Sequence, residues 1–118
     1  MFKTKYYKVI NKTKNTTIAI KVKIANNFIG RTIGLLNRSS ITEEEGLLII
    51  PCKSIHSIFM RFEFDAVFLD KNNQVVHLIN KMPKGKVSSF IWQSNKVLEL
   101  APGMIEKTNI EIGDVLYY

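Results

Sequence analysis

A mainly β fold is predicted: a compact twisted β-sandwich or partly closed β-barrel with one main helix. Three observations lead there. Apolar and polar side chains alternate with period two in several short runs, Asn, Asp, Gly and Pro punctuate those runs, and only one stretch switches to helical spacing. The chain has 118 residues, 46% hydrophobic and 23% charged, a globular mixture able to bury about two-thirds of its unfolded surface. Residues 1–118 are expected to form a single domain.

The elements follow in order. "YYKVINKTKNTTIAIKVKIA" reads as two strands around a polar turn at residues 11–15. In the second strand Ile18, Ile20, Val22 and Ile24 alternate with Ala19, Lys21 and Lys23, one face dry and one wet. "NNFIGRTIGLL" changes period. Asn26 or Asn27 can cap a helix whose stripe is Phe28, Ile29, Ile33 and Leu36, ending near Asn37. Gly30 and Gly34 on that helix each cost about 1 kcal/mol relative to Ala, which close packing against the sheet would offset. "SSITEEEG" is a polar connection ended by Gly46, and "LLII" is a buried strand stopped by Pro51, which lacks a ladder donor. "FDAVFLD" and "QVVHLIN" flank "KNN" as a hairpin. "KMPKGK" is an exposed basic loop, and "VSSFIW" and "KVLEL" read as strands. After "APG" a single helical turn spans residues 104–108, and "IGDVLYY" closes the chain as a strand, giving eight or nine strands in all.

Composition excludes some functions. Cys52 is the one cysteine, so neither an intrachain disulfide nor a Cys-rich zinc cage can form, and a reducing compartment is favoured. No apolar run approaches the roughly 18 residues that cross a bilayer. "MFKTKYYKVI" lacks the apolar core of a signal peptide, so a cytoplasmic location is expected. The net charge of +7 is lopsided: residues 1–42 carry +9 and the remainder −2. That basic third could meet phosphate, making nucleic acid a conceivable partner, though no binding motif accompanies it.

The stretch "SIHSIFMRFEFDAVFLD" is the unusual one. Were residues 52–62 extended, Cys52, His56, Ile58, Met60 and Phe62 would share one face, with Ile55, Ser57, Phe59 and Arg61 on the other. Asp65 falls beside Val67 and Leu69, where an ionised carboxylate needs partners. Backbone N–H groups or Arg61 could satisfy it, or it faces a watered cavity. Cys52, His56 and Met60 are soft ligands, yet their spacing matches no metal signature, so no metal or other cofactor is expected. A Cys52–His56 thiolate–imidazole pair oriented by Asp65 is the catalytic alternative, but the two lie about 13 Å apart on a straight strand. His77 in "VVHLIN" suits a core or cross-strand role, and Trp92 that of a core or rim aromatic.

Taken in order, "RTIGLLNRS", "GLLIIPCKSIHSIFMRFEFDAVFLD", "VLELAPG" and "IGDVL" resemble the domain-of-unknown-function 192 family (DUF192, UPF0127-like) over about residues 25–115. The resemblance implies a small, mostly β sandwich-like domain with one helix, and brings no activity. The family's prominent positions fall on Arg31, Gly34, Arg38, Pro51, Cys52, His56, Met60, Arg61, Asp65, Glu99, Gly103 and Asp114. Asn37 departs from a family Gly, as does Asn109. Glu63 and Phe64 replace Pro-Ile, which leaves open how the bend at Asp65 is held. Ala101 and Pro102 reverse Pro-Ala.

The leading expectation is a non-enzymatic binding or accessory domain, with an enzyme as the secondary reading. Its cleft would lie between the 52–65 segment and the helix bearing Arg31 and Arg38. Arg31, Arg38, Cys52, His56, Arg61 and Asp65 are the candidate ligand-binding residues, for a small anion or a protein partner's carboxylate. A structural alternative pairs the arginines with Glu99, Asp65 and Asp114. A Cys/His-dependent metal-binding protein or small enzyme, using Cys52, His56 and Met60, is a further alternative. A monomer is expected.

Overall fold

The structure, a computed structural model, describes residues 4–27, 35–36 and 38–118. Seven strands form one curled half-barrel sheet: β1 (Tyr7–Asn11), β2 (Thr16–Ala25), β3 (Glu45–Ile49), β4 (Phe64–Leu69), β5 (Val75–Met82), β6 (Lys96–Leu100) and β7 (Leu116–Tyr117). One short helix, α1 (Met104–Lys107), is present among the described residues. The main helix expected near residues 26–37 falls mostly on residues outside the described set.

The spatial order is β5-β4-β6-β3-β2-β1-β7. Only β2 and β3 pair in parallel; the other neighbours are antiparallel. Main-chain bonds then bring the two ends of this order together. Val75 N–H donates to Asp114 O at 2.8 Å, Gly113 N–H to Val75 O at 2.8 Å and Leu116 N–H to Asn73 O at 2.9 Å. An edge tied in this way offers little template for pairing with another chain.

β4 and β6 are buried along their whole length, so their apolar runs need no alternation. Phe64, Val67, Phe68, Leu98 and Leu100 form the centre of the core, joined by Val22, Leu48 and Leu116. Gly46, expected to end a polar loop, lies inside β3. A Cβ there would approach Leu100 and Val22 side chains at 3.2 Å, so the packing requires its absence.

The alternation along β2 holds only in part. Ile18 and Val22 are buried, but Ile20 is exposed and Ala19 is buried. The register against β1 slips between Val9 and Tyr7, and the Ile20 and Lys21 N–H groups both donate to Glu44 O. Two consecutive donors on one acceptor mark a β-bulge, which reverses the facing of the residues it contains. The β4–β5 hairpin closes as expected. The Asp70 carboxylate accepts N–H bonds from Asn72 and Gln74, and Asn73 takes φ +63°. "VSSFIW" is not a strand of the sheet; it belongs to a lobe described next.

Candidate functional site

Residues 52–62 are not extended, and the reason is local. Phe59 has φ +67°, a conformation that costs a bulky residue energy and reverses the chain. Before it, the segment pairs with 83–95 instead of with the sheet. Cys52 N–H donates to Asn95 O, Ile91 N–H to Lys53 O, Ser88 N–H to Ile55 O and Ser57 N–H to Lys86 O, all at 2.8–2.9 Å. His56 bridges Val87. Ser57 knots the lobe: fully buried, its Oγ accepts the Lys86 N–H at 2.9 Å and donates to Pro83 O.

The single-face expectation is therefore corrected. Ile55, Ser57 and Met60 turn inward, whereas His56, Ile58, Phe59 and Arg61 are exposed and Cys52 is half-buried. Met60 packs in the core away from the outward imidazole. The Cys52 Sγ donates to Ser54 O at 3.1 Å. Among the described residues, no three His, Cys, Asp or Glu side chains gather as metal ligands would.

Asp65 is fully buried. Its Oδ1 accepts N–H bonds from Lys81 at 2.8 Å and Gly103 at 3.0 Å, and its Oδ2 accepts that of Ile105 at 2.8 Å. Each donor has a structural cause. The β4–β5 register slips between Phe64 and Ala66, and Lys81 in that bulge has φ +48°. Gly103, at φ +88°, and Ile105 open α1, whose first N–H groups have no partner inside the helix. One carboxylate thus ties β4, the bulge of β5 and the start of α1, and these bonds hold the bend where the family's Pro is missing.

The pairing of arginines with Glu99, Asp65 and Asp114 is not what the described residues make. One Arg38 guanidinium nitrogen donates to both Glu45 carboxylate oxygens, at 2.9 and 3.0 Å. That bond, aided by the Thr42 N–H, draws the Glu45 carboxyl down to about 2. Burial alone would raise Asp114. Bonds from the Asn11 amide, the Glu111 N–H and Lys14 outweigh it, and the carboxyl lies below its ordinary value. Glu99 is buried at 5% exposure, and desolvation pushes its carboxyl up to about 8, so it is mostly protonated at neutral pH. Arg61 is exposed, with no carboxylate in ion-pair range among the described residues. Arg31 lies outside the described residues.

Sequence reasoning missed how far the lobe opens to solvent. Phe59 is 87% exposed and Trp92 77%, and Phe90 meets Trp92 edge-on at 4.8 Å. Lys53 Nζ donates to Trp92 O and Ser94 O, fixing the loop under the indole. The signal available was the basic, acid-free run through "KMPKGKVSSFIWQS". His77 is half-buried and meets Phe68 edge-on across the hairpin.

Half-barrel and lobe together define a small, mainly β domain with one surface projection. Residues 9–118 match the family model DUF192, described as "Uncharacterized ACR, COG1430", and the chain belongs to this family. It is 31% identical over 120 residues to a UPF0127 protein of Pyrococcus furiosus, covering 92% of this chain and 95% of that protein. A crystal structure of a protein of unknown function from Novosphingobium aromaticivorans superposes with TM-score 0.83 at 16% identity, over 94% of this chain and 84% of the other. A Sinorhizobium meliloti protein described as a candidate transcription regulator superposes with TM-score 0.77 at 18% identity, over 93% and 89%. At those identities the two structures speak for the fold alone. No helix among the described residues is long and apolar enough to cross a membrane.

Proposed function

We propose that the chain is a non-enzymatic binding module that takes an anionic group on the side of the 52–65 segment. One observation carries this reading: His56 is exposed on a stretch whose backbone is fixed by the 83–95 ladder, and Arg61, exposed just beyond the reversal at Phe59, has no carboxylate partner among the described residues. On this reading Arg61 and His56 contact the ligand, with Cys52 at the foot of the same segment. Asp65 positions the frame beneath them, and Arg61 supplies the planar cationic donor. Trp92, the sole tryptophan and exposed, reports on the site. Titration with inorganic phosphate and citrate should change its emission saturably, and Arg61→Ala should weaken that response about tenfold. An emission that never saturates with either anion, and an Arg61→Ala chain that behaves as wild type, would defeat the proposal.

A second reading, nucleic-acid binding through the basic first third, draws on a hollow lined by Thr4, Lys5, Tyr7, Lys23, Ile24 and Asn26, which holds two lysines and no acid. Oligonucleotide affinity should then fall steeply with salt; a flat profile would count against it.

A further inference from the structure

We propose that the lobe formed by residues 52–63 and 83–95 docks onto an anionic lipid surface. This rests on the binding reading above and names the partner. Nine large apolar side chains are exposed among the described residues, and five of them, Ile58, Phe59, Val87, Phe90 and Trp92, sit on this lobe. Such concentration on one projection marks an interaction surface, whereas scattered exposure does not.

The charges define the partner's sign. Lys53, Arg61, Lys81, Lys84 and Lys86 flank these side chains and are all exposed, against Glu63 alone. Phe59 is presented, not merely left out. Its left-handed backbone turns the ring outward while Met60, next in sequence, returns to the core, and strain of this kind at an exposed bulky residue points to function. Ser57, buried, and Lys53, bonded to Trp92 O and Ser94 O, hold the turns that carry the rings.

Lipid fits these features better than the other polyanion, single-stranded nucleic acid. Bases stack on the faces of aromatic rings. Phe90 and Trp92 stand 75° apart and present no parallel pair of faces, and exposed Ile58 and Val87 would have no counterpart on a base. An interfacial layer accepts aliphatic and aromatic groups together, places Trp at the headgroup level, and attracts flanking lysines by its surface potential.

The test uses the full chain and Trp92 emission, with sedimentation as the second readout. Vesicles of equimolar phosphatidylcholine and phosphatidylglycerol should shift the emission to the blue and sediment the protein. Pure phosphatidylcholine should bind about tenfold or more weakly, and added salt should release the protein. Phe59→Ser with Phe90→Ser should cut binding about tenfold with Trp92 still in place, and so should Lys84→Ser with Lys86→Ser. Unshifted emission with the mixed vesicles, or equal binding to both vesicle types, overturns the inference. So does an oligonucleotide that displaces the protein from vesicles through Trp92. If phosphate or citrate still acts through Arg61 while vesicles do nothing, the lipid assignment falls and the binding module stands; silence from both removes both.

Discussion

Asp65 and His56 lie nine residues apart in sequence and meet opposite surroundings. Asp65 is closed off, its two oxygens taken by three main-chain donors from β5, the turn before α1 and α1 itself. His56 stands in solvent beside Val87 on the lobe. Asp114 follows the Asp65 pattern, with Asn11, Glu111 and Lys14 around it at the junction of β1 and the last turn. The comparison teaches that the chain's polar side chains divide by what reaches them. Asp65 and Asp114, supplied with N–H donors, weld irregular backbone to the barrel, whereas His56 and Arg61 stay exposed on the lobe.

Removing a weld should have the largest effect. Asp65→Ala leaves three N–H groups without their acceptor, one buried and two partly buried, and urea unfolding should show a loss of about 3–5 kcal/mol. A loss under about 1 kcal/mol would mean that Asp65 is not a weld. Glu99 comes next, through pH. Its folded carboxyl titrates at about 8, above the ordinary 4.5, so the native chain binds the extra proton across that window. Its stability contribution is complete below about 4.5 and declines as pH rises toward 8. The difference between wild type and Glu99→Gln should therefore grow by roughly 3 kcal/mol from pH 5 to pH 7.5 in favour of Gln. A constant difference would show Glu99 ionised or solvated.

Arg38 and Glu45 supply a smaller effect of opposite sign. The Glu45 carboxyl is held at about 2 in the folded chain, so its contribution is full above about 4.5 and disappears as pH falls through about 2. Arg38 is 41% exposed, so Arg38→Ala should cost only about 0.5–1 kcal/mol at neutral pH, and less in acid. The smallest effect belongs to the lobe. Phe59→Ser with Phe90→Ser should alter stability by no more than about 0.5 kcal/mol; a larger loss would turn the lobe from surface into scaffold.

Much of the barrel was legible in the sequence because its signals are local. "KNN" between apolar runs gave the β4–β5 hairpin, and "APG" followed by four helical residues gave α1. The β-strand character of β2 was also readable, but its facing was not, because the bulge at Ile20 and Lys21 is set by the Glu44 carbonyl, which lies on another segment. The same limit governs the middle block. Equal parity placed Cys52, His56 and Met60 together only for an extended chain, whereas pairing with residues 83–95 and the reversal at Phe59 separate them. Asp65 was readable as a carboxylate needing donors. Which donors depended on Lys81 and on residues 103–105, some 16 to 40 positions away.

The lobe is open in the folded chain, and Trp92, 77% exposed, reads this directly. Acrylamide quenching of the native protein should be nearly as efficient as that of the urea-unfolded chain, with emission already red-shifted before unfolding. A native indole that resists quenching and emits to the blue, becoming accessible only on unfolding, would contradict it.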